Sequence, residues 1–216
     1  NKKNNLEYRK IKSNEKENAL IFAGNLAMNG ITKSLLTLLN TIDTRAKNYF
    51  ITYDTRAVRK HKESIKRLPE NVGYIPIKGR MNVGFFKKVM MFLYSKKIFK
   101  DYSKYIEKLK PDLRREIKRI YPNANFSTVI QFNGYNIKRI LLYSEFKCNK
   151  IIFAHNDMYK EAVEKKNAQL PILKYAYENY DKVALVTEDL IEPISKIANI
   201  DSKYYIVHNI IDYNKI

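Results

Sequence analysis

The sequence is poor in the residue types that build disulfides and metal clusters. It contains one cysteine, three histidines and no tryptophan. A single cysteine excludes an internal disulfide and a cysteine-rich metal site, so we expect Cys148 to be an ordinary thiol in a reducing cytoplasm. The histidines, His61, His155 and His208, are too far apart in the sequence to suggest a metal cluster, and no metal is expected.

Long apolar runs are also missing. The chain has no stretch of eighteen apolar residues, which predicts that no helix spans a membrane. Residues 1–18 are polar and charged, unlike a signal peptide, and we expect them to form a charged linker or leader helix. Because the chain begins with Asn1 rather than Met, we also expect it to be a piece of a longer protein.

Glycine is scarce, yet two of the six glycines bracket one short loop, residues 24–30. The preceding residues 19–23 (ALIFA) are an apolar run, typical of a buried parallel strand. The loop is followed by apolar residues at helical spacing, at Ile31, Leu35, Leu38 and Leu39. We therefore predict a loop that enters a helix N-terminus, where N–H groups and the helix dipole favour phosphate or another polar ligand. The same pattern is equally consistent with a tight strand-to-helix turn that binds no ligand.

Two common phosphate-binding loops are excluded by the spacing. A Walker A loop has four residues between its glycines and then Lys followed by Ser or Thr. Here five residues separate Gly24 from Gly30, and Lys33 and Ser34 come two residues too late. A dinucleotide-binding turn needs a third glycine, which this loop lacks.

Strand-like and helix-like stretches alternate along the rest of the chain. Further strands are predicted at residues 48–53, 72–77, 128–132, 150–154, 182–187 and 204–207. Helices are predicted at residues 55–68, 83–121, 136–146, 158–166, 170–180 and 192–198, the second of them broken near Asp101 and constrained by Pro111. This alternation predicts an α/β fold, a Rossmann-like parallel sheet with helices on both faces, in one domain over residues 19–212.

Polar side chains follow several of the predicted strands. They are Asn25, Asn29, Asp54, Asn133, His155, Asp157, Thr187, Glu188, His208 and Asn209. Because the carboxyl ends of parallel strands meet at one edge of a sheet, we expect these residues to line one crevice. Taken one at a time, each is a common turn residue or helix cap.

The net charge of +19 implies an anionic partner. Residues 78–119 contain fourteen Lys or Arg and four Asp or Glu, so about half of the excess lies in one fifth of the chain. Within it, residues 83–100 have an apolar centre flanked by lysines. One interpretation is a helix packed in the core. The other is an interfacial helix, which assigns membrane or anion contacts to Phe85, Phe86, Lys87, Lys88, Met91, Phe92, Lys96 and Lys97.

Three stretches carry a resemblance to a known family. The first is the loop at residues 24–35 with its helix opening NGITKS, and the second is residues 151–157, IIFAHND, a strand ending in a His near a carboxylate. The third is residues 205–212, YIVHNIID. In this order they resemble the N-terminal domain of family 4 glycosyltransferases of the GT-B fold, of the bacterial cell-envelope type. The third looks like the hinge between the lobes, although many relatives have Pro or Gly where this chain has Ile210.

The resemblance implies retaining transfer of a sugar from a nucleotide-sugar to a glycan or lipid-linked acceptor of the cell envelope, such as teichoic acid or a polysaccharide. This lobe would hold the acceptor, a missing C-terminal lobe would hold most of the donor, and the isolated chain would be inactive. It implies a cytoplasmic enzyme, peripheral at the inner face of the plasma membrane, with no cofactor besides the nucleotide-sugar substrate.

The resemblance also implies roles for individual residues. His155 would be catalytic, as a hydrogen-bonding or electrostatic group near the reacting sugar. The loop that faces the donor phosphate would comprise Gly24, Asn25, Asn29, Gly30, Ile31 and Thr32. The acceptor cleft would comprise Asn133, Asp157, Thr187, Glu188 and Asn209. The alternative is that His155 is a capping residue before the helix that begins at Met158, with Asp157 as its N-cap.

A different class of function is also open. The chain would then be a non-catalytic docking domain that binds an anionic polymer, a membrane surface or nucleic acid. Nucleic acid is the weakest of these partners, because the seventeen tyrosines are spread along the chain and form no stacking motif.

Overall fold

The computed structural model describes residues 16–79, 81–84, 87, 89, 90, 93, 102–122 and 125–209. Within them, seven parallel strands form one sheet. The strands are β1 (Glu17–Phe22), β2 (Lys47–Asp54), β3 (Gly73–Ile77), β4 (Thr128–Gln131), β5 (Asn149–Ala154), β6 (Lys182–Leu185) and β7 (Tyr204–Ile206). The predicted Rossmann-like α/β class is confirmed. The first strand starts at Glu17, so the last two residues of the predicted leader segment belong to the sheet.

Helices connect the strands in the order expected for parallel pairing. They are α1 (Gly30–Thr41), α2 (Thr55–Val58), α3 (Lys62–Lys66), α4 (Tyr102–Ile120), α5 (Ile137–Ser144), α6 (Met158–Val163), α7 (Leu170–Asn179) and α8 (Ile191–Ser195), with a 3₁₀ turn at Glu188–Leu190 before α8.

The spatial order of the strands is β3-β2-β1-β4-β5-β6-β7. From β1 the chain moves outward to β2 and β3, then returns and adds β4 on the other side of β1. The carboxyl ends of β1 and β4 therefore lie side by side while their connections leave in opposite directions. In open α/β sheets this switch point is where ligands bind.

Each face of the sheet carries its own apolar core. One core joins Leu20 and Phe22 of β1 to Leu109 of α4 and to Leu142 of α5. The other core joins the alternate residues of β1, such as Ile21, to α1. Because successive side chains of a strand point to opposite faces, the apolar run in β1 serves both cores.

Two predicted helices differ from the observed ones. The stretch 55–68 is two short helices, α2 and α3, because His61 has a non-helical backbone (φ −129°, ψ 40°) and its N–H bonds to Val58. By contrast, α4 runs unbroken through Pro111. Leu109 and Leu113 on either side of the proline are fully buried, and this packing offsets the hydrogen bond that the proline removes.

The predicted interfacial segment falls largely outside the described residues, which exclude Phe85, Phe86, Lys88, Met91, Phe92, Lys96 and Lys97. Of its described neighbours, Val83 is buried, Met90 packs against the core and Val89 is 38% exposed. None of the helices in the described ranges is both long and apolar enough to cross a lipid bilayer.

Lys87 belongs to a group of ion pairs around α4. Its Nζ lies 2.6 Å from Oδ2 of Asp112, a carboxylate that is almost completely buried. Arg115 pairs with the same carboxylate. Because a buried carboxylate is costly without a partner, Lys87 stabilises the fold whether or not it also meets an external anion.

Candidate functional site

A cavity of about 750 Å³ opens at the carboxyl edge of the sheet, over the switch point between β1 and β4. Its walls come from the segments that follow β1, β2, β4, β5 and β7. This volume is within the usual range for small-ligand sites. Most of the side chains that line it are polar, and seven of them are asparagines.

The β1 loop forms one wall and is shaped by Gly24. This glycine has φ +72°, a left-handed backbone that disfavours any residue with a Cβ. The Asn25 side chain accepts a hydrogen bond from Ala27 N–H, and the Asn29 side chain accepts one from Thr32 N–H to cap α1. Among the described residues, none accepts a hydrogen bond from the backbone N–H of Gly30. The α1 N-terminus thus presents at least one donor toward the cavity.

The β4 loop forms the facing wall through the sequence Asn133-Gly134-Tyr135-Asn136. Gly134 has φ +72°, and a Cβ there would lie 2.6 Å from the carbonyl oxygen of Phe153. The Asn133 side chain accepts a bond from Tyr135 N–H, and the Asn136 side chain caps α5 by accepting from Arg139 N–H. The ring of Tyr135 is held further by Asn156, whose Nδ2 lies 2.6 Å from its hydroxyl. The loop therefore fixes Tyr135 in the cavity wall.

His155, at the end of β5, has a defined protonation state. Its Nε2 lies 2.8 Å from the carbonyl oxygen of Phe132. Since a carbonyl can only accept, Nε2 carries the hydrogen and Nδ1 has the lone pair. The rings of Phe132 and Phe153 lie 4.7 and 5.5 Å from the imidazole centre. Burial lowers the pKa of His155 below its ordinary value of 6.5, so the ring is neutral at pH 7.

Two carboxylates line the cavity, and both already have partners. Glu161 lies 2.7 Å from Lys165 Nζ and 3.0 Å from the Asn167 amide, and the hydrogen bond from Lys165 lowers the pKa of Glu161. Asp54 accepts from Arg56 N–H and lies 3.5 Å from the buried Arg139 guanidinium. Over the described residues, no three His, Cys, Asp or Glu side chains are grouped as metal ligands would be.

The structure brings together most of the residues predicted for the site. Those that line the cavity are Gly24, Asn25, Asn29, Gly30, Ile31, Asn133, His155 and Asn209. Asn209 is joined to α1 through Ser34, whose Oγ lies 2.5 Å from the Asn209 amide oxygen.

Four predicted site residues lie elsewhere. Thr32 is buried in the first turn of α1. Asp157 caps α6 by accepting a hydrogen bond from Lys160 N–H at 2.8 Å. This is the helix-capping role that the sequence offered as the alternative to a site role. Thr187 and Glu188 follow β6 at the same sheet edge, but outside the cavity walls.

Sequence reasoning missed several residues of the cavity wall. They are Ala57, Tyr135, Asn136, Asn156, Glu161 and Asn167. The Asn-Gly pair at 133–134 was a usable signal, because such a pair marks a turn whose next residues are held at the strand end. Glu161 and Asn167 gave no signal, since they lie seven and thirteen residues beyond the end of β5.

Comparison with known proteins identifies the fold and leaves the family open. No protein-family model matches the chain, and no curated protein matches it. Among solved structures, Anabaena Alr3699/HepE in complex with UDP and glucose aligns with a TM-score of 0.52 at 9% identity, over 92% of this chain and 46% of that one. The chain thus shares its fold with a protein that binds UDP and glucose.

Two plant structures align less closely. Arabidopsis thaliana UGT89C1 complexed with UDP has a TM-score of 0.49 at 10% identity, over 92% of this chain and 50% of that one. Medicago truncatula UGT71G1 complexed with UDP-glucose has a TM-score of 0.41 at 12% identity, over 91% and 52%. The chain spans about half the length of each of these structures.

Proposed function

We propose that the chain is the acceptor-side lobe of a GT-B glycosyltransferase that moves a sugar from a nucleotide-sugar to an acceptor. The observation that carries this proposal is the polar cavity, which contains His155 and opens at the switch point of a Rossmann-like sheet. Ligands of open α/β sheets bind at that position. The fold shared with a UDP- and glucose-bound structure over about half of that protein's length supports the lobe assignment.

One donor of the cavity, the N–H at the α1 N-terminus, suits a group transfer in which a diphosphate leaves, although no described cation lines the wall. A departing diphosphate gains charge, which donors already in place can stabilise. The N–H of Gly30 at the α1 N-terminus is such a donor. His155 offers a neutral Nδ1 that can accept a hydrogen bond from a substrate hydroxyl. In this proposal His155 therefore acts through a hydrogen bond and carries no positive charge.

The finer parts of the proposal rest on the sequence resemblance. These are retention of configuration at the transferred sugar, membership of family 4, and an acceptor that is a cell-envelope polymer or lipid-linked glycan at the inner face of the plasma membrane. A second lobe would hold most of the nucleotide. Closure of two lobes would assemble the site and exclude water from the reacting sugar.

The experiment is a transfer assay on the full-length protein with a panel of labelled nucleotide-sugars and extracted cell-envelope acceptors. We expect label to enter the acceptor fraction with one or few of the donors. The product's anomeric configuration, measured by NMR, tests retention separately. Absence of transfer and of donor hydrolysis with every donor would overturn the proposal.

A second candidate function is docking to an anionic surface, favoured by the charges on α4. Arg114 and Arg115 are 59% and 76% exposed while their carboxylate partners are buried. The positive charge therefore faces solvent. Salt-dependent binding to anionic vesicles by a protein that transfers no sugar would favour this candidate.

A further inference from the structure

We propose that the cavity binds an uncharged, hydroxyl-rich ligand, a neutral sugar unit of the acceptor, and discriminates against phosphorylated or carboxylated sugars. This inference rests on the proposed function in one respect, that the ligand is part of the acceptor. The chemistry of the ligand is argued from the cavity alone.

The first observation is the charge of the cavity wall. The chain carries a net charge of +19, yet among the described residues no lysine or arginine lines this cavity. Two cations reach carboxylates of its wall, and both are paired there: Lys165 with Glu161, and the buried Arg139 with Asp54. An anionic group would therefore lose its hydration in the cavity without gaining an ion pair.

The second observation is the orientation of four amides, those of Asn25, Asn29, Asn133 and Asn136. Each accepts a hydrogen bond from a backbone N–H through Oδ1. Because a backbone N–H can only donate, the atom of each amide that it contacts is the oxygen Oδ1. The other terminal atom of each side chain is therefore the NH₂ nitrogen Nδ2. No residue in the described ranges accepts a hydrogen bond from these four Nδ2 atoms. The wall thus presents a set of neutral donors.

The third observation is a small number of acceptors beside those donors. His155 presents Nδ1 because its Nε2–H is bound to Phe132. Asn167 presents Oδ1 because its amide nitrogen donates to Glu161. Tyr135 receives a bond from Asn156 at its hydroxyl, which leaves its own proton for donation. A sugar hydroxyl both donates and accepts, and it matches this mixture better than a phosphate, which mainly accepts.

The test uses ligand-observed NMR on the 216-residue chain. The neutral probes are methyl α-D-glucopyranoside and maltose, and the charged probes are glucose 6-phosphate and glucuronic acid. We expect saturable binding of a neutral probe with a dissociation constant of order millimolar. Binding of both charged probes should be at least about fivefold weaker.

Two variants test the amides without removing the helix caps. Asn29→Asp and Asn136→Asp keep an oxygen for the capped N–H, since Asp and Asn are equally good N-caps, but they delete the NH₂ donors. Each should weaken neutral-sugar binding by about three- to tenfold, the loss expected for one hydrogen bond. The matched control is Asn199→Asp. The Asn199 side chain accepts a hydrogen bond from the backbone N–H of Asp201 and lies outside the cavity wall, so this variant should bind the sugar as the wild type does.

Three results would overturn the inference: tighter binding of glucose 6-phosphate than of the neutral glucoside, no saturable binding of any probe to the folded chain, or unchanged binding in both cavity variants. The sugar-transfer assay is independent of these outcomes. Transfer without neutral-sugar binding would overturn this inference alone, whereas neutral-sugar binding without transfer would overturn the proposed function alone.

Discussion

The Asn133 amide occupies the space that a Cβ on Gly24 would need. Its Nδ2 lies 2.7 Å from the ideal Cβ position, closer than real Cβ contacts allow. Gly24 follows β1 and Asn133 follows β4, so this approach joins the two loops at the switch point of the sheet. The cavity wall depends on a glycine here for both its backbone conformation and its lack of a side chain.

Gly24→Ala should destabilise the fold by about 2–4 kcal/mol, from the left-handed backbone and from overpacking against Asn133. The matched control is Gly30→Ala. Nothing lies within 4 Å of a Cβ at Gly30, and alanine is the better helix former, so stability should stay equal or rise by up to about 1 kcal/mol. Urea unfolding followed by circular dichroism measures both. Equal stability of the two variants would show that the Gly24 loop relaxes freely.

If the proposed sugar transfer is correct, His155→Ala in the full-length protein should lower turnover by at least about tenfold, the value of one hydrogen bond to a reacting substrate. The matched control is His61→Ala. His61 precedes α3 without a side-chain cap bond and lies outside the site cavity, so its loss should leave turnover unchanged. Steady-state rates at saturating donor and acceptor distinguish the two. An unchanged rate in His155→Ala would reduce His155 to a structural residue.

Acidification should destabilise the fold partly through His155. Its pKa in the folded chain lies below 6.5 because of burial. Between the folded value and 6.5 the unfolded chain binds the proton and the native chain does not. The stability from neutral His155 is therefore fully present above pH 6.5 and is lost as the pH falls toward the folded pKa.

The measurement is urea unfolding at about pH 7.5 and pH 5.5 for the wild type and His155→Gln, which keeps an N–H donor for Phe132. The wild type should lose more free energy of unfolding between the two pH values than the variant does. Equal losses would mean that His155 titrates alike in the folded and unfolded chains.

Replacing Lys88, Lys96 and Lys97 with Gln should weaken binding to anionic vesicles by about 3 kcal/mol, at about 1 kcal/mol per basic residue. Lys87 is left intact, because it neutralises the buried Asp112. The matched control replaces three exposed lysines, Lys160, Lys166 and Lys174. Co-sedimentation with anionic and neutral vesicles measures the effect. Equal binding to anionic vesicles by both triple variants would contradict the hypothesis that residues 83–100 contact the membrane surface.

The sheet was predictable because buried parallel strands are short apolar runs. Residues 19–23 and 150–154 needed only that pattern, and the crevice followed from the rule that parallel strands end at one edge. The predicted helix at residues 55–68 was wrong in its continuity, since the local turn at His61 is set by backbone geometry that its composition does not show.

The cavity was only partly predictable, for a physical reason. Tyr135 is one of seventeen tyrosines, and the Asn-Gly pair before it marks a turn at the strand end but does not show that the tyrosine ring lines a cavity. Glu161 lies in α6 and Asn167 in the segment after it, and both line the cavity. Such placement depends on the packing of several elements at once.

The central claim is that this chain holds the acceptor and depends on a second lobe for the donor. It is tested most directly by calorimetric titration of the 216-residue chain with a panel of nucleotide-sugars, with a transfer assay on the same samples. The account predicts no saturable donor binding at micromolar concentrations and no transfer, because the cavity wall provides no described cation for a diphosphate. Micromolar donor affinity together with turnover by this chain would show that the lobe is self-sufficient and would contradict the account.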